Sequence, residues 1–340
     1  PTRMEVTGTI LVGGDFEPVD GRIVVEEGEI VAVEETDVDS DDVVLPAFVN
    51  AHVHLGDSIA KDARTDLPLA DLVAPPDGVK HRLLRAASHE ELVTAIRRSL
   101  AFMESTGTAT CIEFREGGVD GVRAIDEAAE TVDLDPVVLG RETVEAMALS
   151  DGFGASGAND ADFAEERAAT REAGKLFGIH AGEGDSTDVG PALDLDPDFL
   201  VHVVHPEPHH LDRIEETGTP VVVCPRSNAD TGVGLPPIEE HAARTTVALG
   251  TDNVMFNSPS MFREMAFAAK ITDLDDRTIL RMATANGARI AGREDGMIET
   301  GRPAKLLVLD GDSDNLSGTR DPVRAVVHRA GASDVKRTLY

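Results

Sequence analysis

Between residue 45 and about residue 295 the chain switches repeatedly from a short apolar run to a helical segment, and few architectures accept that pattern. The apolar runs are Leu45 to His54, Thr108 to Phe114, Pro136 to Gly140, Gly152 to Gly157, Phe177 to Ala181, Phe199 to Val204, Pro220 to Cys224 and Thr246 to Gly250. Helical spacing is clearest from Glu90 to Met103, where Leu92, Ile96 and Leu100 share a face and Gly107 stops the segment. Further helices are expected over Asp120 to Ala129, Asp160 to Lys175, Ser260 to Lys270 and Asp276 to Ala291. Eight strands alternating with helices predict an α/β fold of the (β/α)8 TIM-barrel type rather than an open doubly wound sheet. No Gly-x-Gly-x-x-Gly follows a strand and no P-loop motif occurs, which argues against a dinucleotide-binding fold.

The two ends of the chain have a different texture. Val6 to Val12, Arg22 to Glu26, Ile30 to Glu34 and Val43-Val44 read as strands, with turns at Gly13-Gly14, Asp20-Gly21 and Glu27-Gly28. Ala304 to Leu309 and Ala325-Val326-Val327 read the same way. The expected organisation is a small β-sandwich satellite built from residues 1–44 and 300–340 around a barrel of residues 45–299. At 340 residues the chain is long enough for both.

In such a barrel, reactive groups sit at the C-terminal ends of the strands. The first strand ends in His52-Val53-His54, and residues two apart on a strand point to one side. Their imidazoles then aim at one point, with nitrogens about 3 Å apart, as metal–nitrogen bonds of roughly 2.0–2.1 Å require. The other strand ends carry Glu113, Arg115 and Glu116; Arg141 and Glu142; His180 to Glu183; His202; Arg226, Ser227 and Asn228; and Asp252. Four of the 11 histidines fall at these ends, more than chance placement explains.

These residues resemble the amidohydrolase superfamily, in its cytosine-deaminase and chlorohydrolase branch. The resemblance rests on Leu45-Pro46-Ala47-Phe48-Val49-Asn50-Ala51-His52-Val53-His54, His180-Ala181-Gly182-Glu183, Val201-His202-Val203-Val204-His205, Cys224-Pro225-Arg226-Ser227-Asn228 and Gly250-Thr251-Asp252-Asn253, and covers nearly the whole chain. It implies a barrel holding one divalent metal ion, with His52, His54, His180 and Asp252 as ligands. It further implies His202 beside the metal-bound water and Glu183 as proton shuttle. Three neutral imidazoles and one carboxylate leave a coordination position open for water, whose pKa the cation lowers toward ~7. Asp252 can accept that water's proton, and Glu183 suits general acid work on a ring nitrogen. Zinc is the default metal for such a ligand set, with iron(II) and manganese as alternatives. The binuclear branches of the superfamily use a carbamylated lysine on strand four; no lysine lies between Lys80 and Lys175, which argues against a bridged pair of metals. His205 is offset by three from His202 and faces the other way on a strand. His81, His89, His209, His210, His241 and His328 lie outside the strand ends.

The expected enzyme hydrolyses non-peptide C–N bonds. The first choice is an aminohydrolase (deaminase) acting on an amino-substituted heterocycle such as a pyrimidine, purine or pterin, by attack of metal-bound hydroxide. The alternatives are ring opening of a cyclic amide, chlorohydrolase-like displacement of another leaving group, and a catalytically silent barrel used as a scaffold. Arg115, Arg141 and Arg226, with Asn228, are expected at the mouth as substrate contacts, because arginine gives bidentate recognition of oxyanions. Lys61 and Lys80 fall in the loops after the first strand, where ion pairs with Asp62 or Asp77 compete with a substrate role.

The formal net charge is −32 at pH 7, and only six of the 31 basic residues are lysine. Anionic surfaces repel such a chain, which excludes nucleic-acid and anionic-membrane partners and leaves a small-molecule substrate. Cys111 and Cys224 are too few for a disulfide framework. No apolar run reaches the roughly 18 residues of a membrane span, and Pro1-Thr2-Arg3-Met4 does not read as a signal peptide, so a cytoplasmic location is expected. Analogy with related barrels implies a homodimer. Repulsion of this size destabilises the folded state in dilute buffer and is screened by salt, the mark of a salt-adapted (halophilic) protein. The unfolding midpoint measured by calorimetry is expected to rise as the Debye length falls from about 10 Å at 0.1 M salt to about 3 Å at 1 M. A flat or falling midpoint would remove the halophilic reading.

Overall fold

The computed structural model describes residues 3–63 and 66–340. An extended run begins at Val43 and is shared between two sheets, changing from one to the other at Ala47. Its first part, β4 (Val43–Pro46), joins β1 (Arg3–Val12), β2 (Glu17–Glu26), β3 (Glu29–Glu35), β14 (Leu306–Leu309) and β15 (Val335–Leu339) in one six-stranded sheet of order β15-β14-β4-β1-β2-β3. Strands from both ends of the chain therefore share this sheet. Alternation divides its side chains: Val6, Ile10, Val44, Leu306 and Val308 form a core of their own, whereas Leu11, Leu45, Leu307 and Leu309 face the main core.

Two expectations for the satellite change. Asp20-Gly21 is not a turn but the middle of β2, where Gly21 pairs with Gly8. A Cβ on Gly21 would lie 2.1 Å from the Glu34 carbonyl oxygen, so the glycine serves close backbone approach within the sheet. Ala325-Val326-Val327 lies in a helix, Pro322–His328, whose N-cap Asp321 accepts from Arg324 N and whose first position is proline. A short apolar run is ambiguous by periodicity, and the capping residues decide it.

The second part of the run, β5 (Phe48–His54), opens a nine-stranded sheet. It continues through β6 (Thr108–Arg115), β7 (Asp135–Gly140), β8 (Gly152–Gly157), β9 (Leu176–Ala181), β10 (Phe199–His202), β11 (Val221–Val223), β12 (Val247–Leu249) and β13 (Asp252–Asn253). The order is β12-β11-β10-β9-β8-β7-β6-β5-β13, every neighbour parallel, with helices in the connections. The two ends of this order, β12 and β13, are separated by Gly250 and Thr251 alone, so the sheet curls back on itself. Asn50 and Thr251 clamp that seam through bonds of 2.7 and 3.1 Å. The helix expected from Asp276 to Ala291 is two helices, Asp276–Met282 and Ala285–Ile290. Phe114 lies beneath the strand ends, its ring centroid 4.6 Å from that of His52 and 5.0 Å from that of His180. Gly154 makes room for it: a Cβ there would fall 2.7 Å from the Phe114 ring. Among the described residues no helix is long and apolar enough to cross a membrane.

An ion cluster links the segment that precedes β14 to the start of β7. Asp135 accepts from Arg293 Nε at 2.7 Å and from Lys305 at 3.4 Å, and Lys305 also reaches Asp295 at 2.9 Å. Partial burial pushes the Asp135 carboxyl up, but the Arg293 hydrogen bond and the Lys305 charge outweigh it and hold the carboxyl below its ordinary value. A depressed carboxylate contributes stability above its unfolded pKa of about 4 and loses it as pH falls through the folded value. Asp135→Asn is expected to cost about 1 kcal/mol at neutral pH in urea unfolding, with the deficit shrinking below about pH 3.5. A deficit independent of pH would contradict the assignment.

Candidate metal centre

Four of the expected residues meet at the ends of β5, β9 and β13. His52 and His54, two apart on β5, aim to one side as alternation requires. His180 stands on β9, and Asp252 opens β13 beside Val53. Ring nitrogens of His52, His54 and His180 lie within 4.8 Å of one another, and so do ligand atoms of His52, His202 and Asp252.

The hydrogen bonds behind the rings decide which nitrogen is free. His54 Nδ1 lies 2.9 Å from Glu116 Oε1 and 3.1 Å from the Phe114 carbonyl, both acceptors only, so Nδ1 carries the hydrogen. His180 Nδ1 donates to the Ala155 carbonyl at 2.8 Å for the same reason. Both Nε2 atoms are thus bare lone pairs, and they face each other at 3.4 Å. His52 Nε2 is 3.4 Å and His54 Nε2 3.6 Å from Asp252 Oδ1. These separations match the edge of a tetrahedron with metal bonds of about 2.0–2.1 Å, roughly 3.4 Å. Both nitrogens of His52 and Oδ1 of Asp252 are buried without a hydrogen-bond partner. Converging lone pairs with no hydrogen between them fit a divalent cation.

Electrostatics agree. Burial pulls the His54 imidazole down to about 3, and it lowers His52 and His180 too. Burial pushes the Asp252 carboxyl up, but the neighbouring His52 and His202 rings hold it well below its ordinary value. Neutral imidazoles beside an ionised carboxylate are the protonation states a metal needs. Ser227 Oγ donates to Asp252 Oδ2 at 2.6 Å, leaving Oδ1 to face the histidines. Backbone strain gathers here: His202, Val203 and Asp252 have φ of +78°, +44° and +58°.

Glu183 and His202 lie beside this group. His202 Nε2 is 3.6 Å from Glu183 Oε2, and Asn228 Nδ2 is 3.2 Å from His202 Nδ1 and 3.5 Å from Glu183 Oε1. Burial raises the Glu183 carboxyl above its ordinary value against the pull of His202. His205 is exposed and turned to the Val233 carbonyl at 2.7 Å. His81 bonds the Val73 carbonyl and His241 the Val203 carbonyl.

The arginines expected at the mouth divide. Arg115 is fully buried, 3.2 Å from Glu113 and 3.4 Å from Glu116, and so is a counter-ion rather than a substrate contact. Arg226 is bound to Glu264 at 2.6 Å and to the Ser258 carbonyl at 2.9 Å. Charges this deep need partners, and a buried carboxylate supplies each. Arg141 pairs with Glu116 and lines a cavity of about 1150 Å³ alongside His81, Glu142, Gly154 and Ser156. Lys80, expected near Asp77, instead reaches Asp57 and Glu116. Glu116 was expected at a strand end without a task; three charges in Glu113-Phe114-Arg115-Glu116 at the end of an apolar strand were its signal.

The chain matches the family model described as the amidohydrolase family over residues 43–194 and 160–339. A Methanothermobacter thermautotrophicus protein, provisionally named an aminohydrolase, is 34% identical across 96% of this chain and 95% of its own. The 5-methylthioadenosine/S-adenosylhomocysteine deaminase of Halobacterium salinarum is 28% identical across 99% of this chain and 90% of its own. Among solved structures, a zinc-bound adenosine deaminase from Xanthomonas campestris superposes with a TM-score of 0.82 at 20% identity, covering 98% of this chain and 91% of that one.

Loaded with zinc, the protein is expected to retain about one ion per chain by elemental analysis, and His180→Ala or Asp252→Ala to release it. Retention in both variants would place the ion elsewhere.

Proposed function

This chain belongs to the amidohydrolase family, and from that premise we propose that it is a metal-dependent aminohydrolase releasing ammonia from an amino-substituted heterocycle. The proposed ligands are His52, His54, His180 and Asp252, with Glu183 and His202 as the groups that handle protons. The observation that carries this reading is the pair of bare Nε2 atoms of His54 and His180, 3.4 Å apart, with the unpartnered Asp252 Oδ1 3.6 Å from the first. A divalent cation held there, zinc by default, supplies Lewis acidity that brings a water's pKa toward ~7.

The chain's own residues then do the following. Asp252, ionised and held by Ser227 through Oδ2, takes the proton of the attacking water and passes it to the amino nitrogen, which leaves as ammonia. Glu183, raised by burial, holds a proton on its carboxyl and delivers it to a ring nitrogen of the heterocycle. With Asn228 Nδ2 donating to His202 Nδ1, the hydrogen of His202 sits on Nε2, directed at oxygen developing on the attacked carbon. Asn228 keeps Glu183 and His202 at their spacing. Arg141, on the cavity wall, is the arginine placed to meet an anionic substituent.

The finer architecture belongs to the same reading. We take β12 and β13 as two pieces of an eighth strand that closes a barrel, since Gly250 and Thr251 alone separate them. The division of the chain falls where β4 passes into β5. The satellite is taken as a sandwich because β1, β2, β4 and β14 residues enclose one core. A salt-adapted cytoplasm is supported by the net charge of −32 and a relative from Halobacterium salinarum, and a homodimer is carried over by analogy with related barrels.

The test is ammonia release over pyrimidines, purines and pterins in molar salt with zinc, iron(II) and manganese supplied separately, beginning with adenine-bearing thioethers. Glu183→Gln is expected to lower kcat by about 10²–10⁴-fold with bound metal unchanged. A product heavier by one water, with no ammonia, would favour opening of a cyclic amide instead.

A further inference from the structure

Among the described residues of the segment between β5 and β6, one cation is buried deep in the molecule. Lys80, second residue of the helix Val79–Ala86, is 3% exposed. Its Nζ lies 2.7 Å from Glu116 Oε1, 3.3 Å from Asp57 Oδ1 and 3.3 Å from Asn253 Oδ1. Those partners belong to three separate strand ends: the exit of β6, the turn after β5, and the residue next to Asp252 on β13. Glu116 Oε1 is also the atom that accepts from His54 Nδ1 at 2.9 Å, so ammonium and imidazole share one oxygen.

A buried ammonium is costly to desolvate and persists only where partners compensate it. Arg115 and Arg141 already neutralise Glu116, so charge balance at that carboxylate does not by itself require a lysine. What Lys80 adds is reach across the strand ends. Partners in the shell behind a metal fix the tautomer and orientation of its histidines. The same helix lines the cavity beside the centre through His81, Leu84 and Arg85, so seating this segment completes the cavity and the centre together.

We propose that Lys80 is a positioning residue for the metal centre, holding Glu116 against His54 and Asn253 beside Asp252 so that the ends of β5, β6 and β13 keep one arrangement. The inference rests on the ligand set of the preceding subsection.

Removing the ammonium also strands Asp57, whose carboxylate oxygens have no hydrogen-bond partner, so a single variant could lose metal merely by losing stability. The test therefore compares the full-length wild type, Lys80→Met and Lys80→Met/Asp57→Asn. Zinc and cobalt(II) affinities are measured by chelator competition, the visible spectrum of the cobalt form is recorded, and the unfolding midpoint is taken without metal. Lys80→Met is expected to weaken metal binding about 10–100-fold and to shift the cobalt spectrum. The double variant is expected to recover the metal-free midpoint but neither the affinity nor the spectrum. Affinity that recovers with the midpoint, or a Lys80→Met protein that binds as the wild type does, overturns the proposal. A wild type that binds neither metal overturns the ligand assignment beneath it.

Discussion

The site depends on unprotonated imidazole nitrogens turned toward one another. Two such nitrogens 3.4 Å apart repel unless a hydrogen or a cation lies between them, and here the hydrogens are committed elsewhere. His54 gives its own to Glu116 and Phe114, and His180 gives its own to Ala155. Backbone carbonyls of the neighbouring strands thus help to select the tautomers. The sheet that brings the histidines together also determines what they can bind.

Convergence needs a narrow interior and a closed seam. β13 must lie against β5 for Asp252 to meet His52, and the Asn50–Thr251 clamp holds that contact. Phe114 fills the space below, against the glycines of β8 and β9, so the imidazoles pack on a dry aromatic floor. Burial there favours the neutral forms of His52, His54 and His180, because the close packing strips the solvent that would stabilise an imidazolium.

The protein treats charge in two ways. Acidic groups spread over the surface give it the net charge of −32. Around the centre, by contrast, Asp57, Glu113 and Glu116 are interleaved with Lys80, Arg115 and Arg141, nearly all sealed from solvent. Burial raises the Asp57 carboxyl to about 7 and the Glu113 carboxyl to about 8, while Lys80, His54 and Arg141 hold Glu116 well below its ordinary value against the same burial. A charge removed from this cluster leaves its partner in low dielectric, which is why these residues behave as one unit.

The strand and helix alternation, the two β-rich ends and the histidines at strand ends were all legible in the sequence, because each rests on local periodicity or position along a strand. His52 and His54 could be paired from spacing alone; His180, Glu183, His202 and Asp252 stood out at strand ends, and resemblance supplied their roles. The helix at Ala325 and the strand through Gly21 were misread where a short segment carries no period of its own. Arg115 and Arg226 were misplaced because position past a strand end does not say whether a buried carboxylate waits for the side chain. Lys80, 26 residues after His54 in the chain, meets Glu116 only once the connection folds back over the sheet. The sequence by itself determined which residues line up along each strand; only the tertiary structure decided which charges face one another, since burial and pairing are properties of the packed whole.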